Sequence, residues 1–145
     1  MLLALLLAAQ TAAPNIVTNG DFEQGLEGWT IWTREPDVGA VDLDHAIRHS
    51  GANAARIDHS GDRDWSFAPW DGLPVNAGDR FELTGALRVA GEGSATIGVI
   101  TYDADAQALD WAYADRSVTD TSGEWARVSS EFVVQPGVER IVPRL

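Results

Sequence analysis

The side chains best suited to chemistry in this sequence are aromatic. Six tryptophans stand among 145 residues. Trp29 and Trp125 border regular alternating segments and read as packing residues. Trp32, Trp65, Trp70 and Trp111, together with Tyr102 and Tyr113, sit in or beside irregular segments. An exposed indole offers a flat apolar face to the C–H face of a ligand, and neighbouring Asp, Glu, Arg or Gln can hydrogen-bond what projects from it. Two or three of these six are expected to face a ligand and the others to fill the interior. The titratable residues form no catalytic pattern. His45, His49 and His59 do not have the spacing of an HExxH helix, and no GxSxG or glycine-rich phosphate loop occurs. No two of the 22 carboxylates are singled out as an acid and nucleophile pair.

Charge narrows the partners. Ten Lys+Arg against 22 Asp+Glu give a net charge of −12. All the cations are arginines, scattered from Arg34 to Arg144, so the basic face that counterion release requires is missing. A nucleic acid is excluded on this ground, and a densely anionic polymer is disfavoured. The absence of cysteine removes disulfides, thiolate metal sites and thiol catalysis.

These side chains must be carried by strands. FELTGALRV puts Phe81, Leu83, Leu87 and Val89 on one face, and WARVSSEFVV does the same with Ala126, Val128, Phe132 and Val134. ATIGVITYD alternates less cleanly, as a central strand covered on both faces would. Further strands are expected near Asn15–Thr18, Trp29–Thr33, Val38–Leu43, Ala54–His59 and Arg140–Leu145, with Gly, Asn, Asp and Pro punctuating the intervals. The pattern predicts an all-β, antiparallel sandwich or barrel of one domain over residues 14–145. Asp103, Asp105 and Gln107 begin like a calcium-binding EF loop but lack its glycine and terminal glutamate, and are read as a hairpin turn. Residues 1–13, MLLALLLAAQTAA, are apolar, uncharged and too short to span a bilayer, and read as a signal peptide without a basic start. Cleavage after Gln10 or Ala13 would yield a secreted or periplasmic protein with no membrane attachment.

NIVTNGDFEQGLEGW, followed in order by HSGANAARID, LPVNAGDRFELTGALRV, YDADAQALDW and SGEWARVSSEFVVQPGVERIVPRL, resembles the CenC-type carbohydrate-binding modules of families 4, 9 and 22 over residues 15–145. The resemblance implies a jelly-roll sandwich and a non-catalytic module, often an accessory domain on a secreted glycoside hydrolase or lyase. It implies a neutral poly- or oligosaccharide as ligand, stacked on some of Trp32, Trp65, Trp70, Tyr102, Trp111 and Tyr113. It also implies a structural calcium ligated by Asp21 and Glu23, with carbonyls from the region of His49 to Gly51, and one more strand beyond Leu145, so that the sequence reads as a fragment. On the same scaffold, a protein-interaction, adhesion or spacer domain is the alternative.

Overall fold

A computed structural model of the chain describes residues 14–63 and 65–145. The expected signal peptide, residues 1–13, lies outside the described residues. Ten strands follow in order: β1 Trp29–Thr33, β2 Gly39–Asp44, β3 Ala54–His59, β4 Trp65–Pro69, β5 Leu73–Pro74, β6 Arg80–Leu87, β7 Ala95–Tyr102, β8 Ala108–Val118, β9 Ala126–Val133 and β10 Arg140–Arg144. The strands pair antiparallel, β1 with β4, β2 with β3, β6 with β9, and β5-β10-β7-β8 in that order. No helix among the described residues is long and apolar enough to cross a membrane.

The β1–β4 pair is stitched to the four-stranded sheet. The Phe67 N–H donates to the Leu145 carbonyl at 3.0 Å, and the Leu145 N–H donates back to the Phe67 carbonyl at 2.8 Å. β4 and β5 therefore follow one another along the edge of β10 that β7 leaves open, giving one layer in the order β1, β4/β5, β10, β7, β8. β6 and β9 cover its inner face. Between them lies the core, with Val75, Val99, Phe132, Val134, Val138 and Ile141 buried and Leu73, Phe81, Leu83 and Tyr113 packed against it. The predicted faces of β6 and β9 supply Phe81, Leu83 and Phe132, with Val134 just past the end of β9. β7 is buried from Ile97 to Thr101, as a central strand covered on both sides must be.

Besides the unexpected strands β4 and β5, two segments differ from the sequence reading. Residues 15–18 form no strand but open a turn-rich loop. Asn15 Oδ1 accepts from the Val17 N–H at 3.1 Å, and the Asn19 amide donates to the carbonyls of Gly25 and Glu27 at 3.0 and 2.9 Å. Side chains that bond nearby backbone in this way compete with a ladder. The loop drops Phe22 onto Trp29 and Phe67, with ring centroids 5.0 and 6.1 Å away. The other segment is β8, which is longer than its sequence suggests and irregular. Its register against β7 shifts between Ile97 and Tyr102, and Ala114 within it has φ 58°. The Asp103–Gln107 segment is the expected hairpin turn, with Asp103 Oδ1 accepting from the N–H groups of Asp105 and Gln107.

Candidate functional site

Strand parity decides what the outer face of the five-strand layer presents. On β7, Ile97 and Val99 point to the core, so Gly98, Ile100 and Tyr102 point outward. On β10, Ile141 points inward, which turns Arg140, Val142 and Arg144 outward. On β4 and β1 the same rule turns Ser66, Ala68, Thr30 and Trp32 to the outer face. All of these but Gly98 line a cleft of about 190 Å³ together with Pro69, Trp70 and Trp111. Its floor is Ile100, Val142 and Ser66, all buried. Its walls are aromatic.

Trp32 and Trp111 belong to the two outermost strands of the layer, with β4, β10 and β7 between them. In a flat sheet, four strand spacings would hold them about 19 Å apart. Their ring centroids are 5.5 Å apart, so the layer curls strongly and the two indoles meet across it. The Arg34 guanidinium lies over the Trp32 ring, 5.5 Å from its centroid. Trp70, just past β4, is 73 % exposed, and its backbone N–H donates to the Gly28 carbonyl at 2.8 Å.

Of the six aromatic candidates, the structure brings Trp32, Trp70, Tyr102 and Trp111 to this cleft and turns two away. Tyr113 packs edge-on against Phe132, and its hydroxyl donates to the Val133 carbonyl at 2.8 Å. The irregular register of β8 carries it to the core side. Trp65 has the parity of Phe67 and faces inward, stacked on His59 at 6.2 Å. A Cβ at Gly39 would stand 2.9 Å from Trp65 Nε1, so Gly39 leaves the room that lets this indole close on the β2–β3 hairpin. As read from sequence, Trp29 packs with Phe22 and Phe67.

The sequence reading missed the polar groups of the cleft. Arg140 and Arg144 line it, and among the described residues no carboxylate does. Their signal was present in the RIVPR alternation, which sets both arginines on the face opposite Ile141. Arg144 Nη2 donates to Asp115 Oδ2 at 3.2 Å. Burial pushes the Asp115 carboxyl above the usual aspartate range, with Arg144 pulling against it. Asp115 lies across Gly98 so closely that any Cβ at position 98 would collide with its Oδ1. Asp115 Oδ1 and Arg144 Nε are both buried without a hydrogen-bond partner among the described residues.

The two metal candidates lie in the loop before β1. Asp21 Oδ1 accepts from the Glu23 N–H at 3.3 Å, and Glu23 Oε1 accepts from the N–H groups of Ala52 and Asn53 at 2.9 and 3.0 Å. A side chain at Gly51 would collide with the Glu23 carboxylate, so this glycine lets Glu23 seat on the loop. The Gly51 carbonyl accepts from Arg48 Nε at 2.9 Å. In kind these oxygen donors suit a hard cation. Among the described residues, no three His, Cys, Asp or Glu side chains gather as a metal site.

Comparison with known proteins follows from this geometry. The CBM_4_9 family, described as a carbohydrate binding domain, matches residues 14–145. No curated protein matches the chain. Among solved structures, the enzymatically active domain of tailspike protein 4 from bacteriophage CBA120 superposes with a TM-score of 0.71 at 14% identity, covering 88% of this chain and 18% of that one. The CBM22-1-CBM22-2 tandem of Paenibacillus barcinonensis Xyn10C gives 0.60 at 20% identity, covering 86% of this chain and 38% of that one. The CBM22-1 xylan-binding domain of the same protein gives 0.56 at 19% identity, covering 81% and 74%. At these identities the likeness is one of fold. The chain spans well under half of the tailspike and tandem structures.

Proposed function

The chain belongs to the CBM_4_9 family of carbohydrate binding domains and is a non-catalytic carbohydrate-binding module with a jelly-roll fold; from that premise we propose that it binds a glycan with a neutral, β-linked main chain, a glucan or xylan, in the cleft between Trp32, Trp70, Tyr102 and Trp111. The observation that carries this reading is the convergence of four aromatic side chains from separate strands on one concave, apolar-floored face. An outer face of charges and small side chains would have favoured the protein-interaction or spacer alternative. Stacking gives affinity for sugar C–H faces, and the polar rim fixes orientation. The module would serve an exported polysaccharide-degrading enzyme as its accessory domain.

Affinity electrophoresis over a panel of β-glucans, xylans and mannans tests the proposal. Retardation by at least one is expected. A folded protein retarded by none overturns it in favour of the interaction or spacer reading.

Calcium at Asp21 and Glu23 is a smaller, separate proposal. Its support is the seating of the Glu23 carboxylate on the 51–53 loop, with Gly51 leaving it room. Two carboxylates bound there would join the first loop to the β2–β3 hairpin. Arg48, already bonded to the Gly51 carbonyl, is the rival source of positive charge. A melting temperature that is the same in calcium and in chelator would assign that role to Arg48 and end the metal proposal.

A further inference from the structure

Among the described residues the cleft lining holds two arginines and no carboxylate, in a chain whose net charge is −12. The two arginines are not equivalent. Arg144 already faces an anion, Asp115, at 3.2 Å. Arg140 has no ion pair and no hydrogen bond from its guanidinium among the described residues, yet it is half-buried and confined. Its Cζ lies 4.4 Å from the Tyr102 ring centroid. On the other side its stem passes Gly72, where a Cβ would stand 2.8 Å from both Cγ and Cδ. Cross-strand pairing of Arg140 with Tyr102 fixes this arrangement from the backbone up.

A cation over a π face recovers part of its lost hydration, but the five N–H donors of a guanidinium point outward in its plane and stay unspent. Sugar hydroxyls could be served by any side-chain amide. A guanidinium fork has a better match, since it binds a carboxylate through two parallel, charge-assisted hydrogen bonds. Resting on the cleft reading given above, we propose that Arg140 recognises a carboxylate carried by the bound glycan, so that the module selects a neutral main chain bearing uronic acid residues. The overall negative charge sets the density. Of the two arginines that line the cleft, Arg140 is the one without an ion pair among the described residues, and the chain as a whole is anionic. A sparsely substituted chain is therefore accepted, while a continuous polyuronate is repelled.

Calorimetric titration of the full chain with a xylo-oligosaccharide carrying one glucuronic acid branch, and with the same oligosaccharide after enzymatic removal of the branch, tests this. The branched ligand is expected to bind about tenfold more tightly at low salt, as a charge-assisted contact of about 1.4 kcal/mol would give. The ratio should shrink in about 1 M salt, where the Debye length is about 3 Å. Arg140→Gln should bring the ratio of the two affinities to about one, and Arg140→Lys should leave an intermediate ratio, with thermal melts reporting folding of both. Equal wild-type affinities for the two ligands would overturn the inference and leave the sugar-binding reading intact. Binding of neither ligand would overturn the inference, and the sugar-binding reading falls with it only if the polysaccharide panel also retards nothing. A full ratio retained in folded Arg140→Gln would remove Arg140 from the role.

Discussion

Replacing Trp70 by alanine separates ligand binding from folding more cleanly than any other change in the cleft. Trp70 is 73 % exposed, and a tryptophan has about 150–250 Å² to bury, so about 110–180 Å² of it stands open. A sugar stacked on one face covers roughly half of that, about 55–90 Å², worth about 1.4–2.3 kcal/mol at about 25 cal/mol per Å². Ordering the ring and the sugar takes some of this back, which places the expected loss near the lower end, about tenfold in Kd. Because so little of the side chain is buried, the cost in stability should stay within about 0.5 kcal/mol. The assay is calorimetric titration of Trp70→Ala and wild type with whichever glycan the panel selects, beside a urea melt of each. A loss below twofold with an unchanged urea midpoint would refute the placement of Trp70 in the site. A tenfold loss accompanied by a large fall in the midpoint would refute the claim that it acts on binding alone.

Other outcomes follow from the same contacts. Tyr113→Phe removes a bond to the Val133 carbonyl and one from Gln135 Nε2; it should lower stability by about 1 kcal/mol in a urea melt and leave glycan affinity as it was. Gly98→Ala puts a methyl where Asp115 Oδ1 lies, so it should destabilise the fold and weaken binding together, and a wild-type urea midpoint would show that the Asp115 contact is dispensable. Asp115 has its folded-state pKa raised, chiefly by burial, so the native state holds its proton more tightly than the unfolded one; its contribution is present below the unfolded value and is lost as pH rises through the folded value. Asp115→Asn should therefore flatten a decline in melting temperature above about pH 4, and an unchanged slope would count against that burial. If calcium binds, it should raise the melting temperature of wild type, and Glu23→Gln should diminish that increment, since the amide keeps one oxygen but loses the charge.

What the sequence revealed depended on alternation. β1 and β3 match the expected segments, and β6, β7 and β9 fall within a residue or two of theirs, because Phe81/Leu83 and Val128/Phe132 mark their inner faces plainly. β4 was hidden in DWSFAPWDG, where Pro69 and flanking aspartates look like loop, although Phe67 is among the most buried side chains. β8 was hidden because ALDWAYADRSV alternates badly, and the structure shows why: an edge strand with a left-handed residue at Ala114 has no single face to keep apolar. That irregularity also hid which side Tyr113 takes. Trp65 gives no parity until its strand is known. Four aromatic positions in the cleft were legible by type. Arg140 and Arg144 were legible only by register, since sequence alone does not say which side of β10 is covered.

The meeting of Trp32 and Trp111 across the curled layer makes the free module its own first occupant. Each indole already has a partner in the other, at 5.5 Å between centroids, so an incoming sugar competes with a contact worth about 0.5–1.5 kcal/mol. If the rings must part, only the separated fraction is receptive, and the apparent dissociation constant rises by the reciprocal of that fraction, here about two- to tenfold. Short oligosaccharides would then each meet the full cost of opening a clasp that closes in their absence, whereas a long chain, by holding the clasp open at one point, would lower the cost for the residues that follow it.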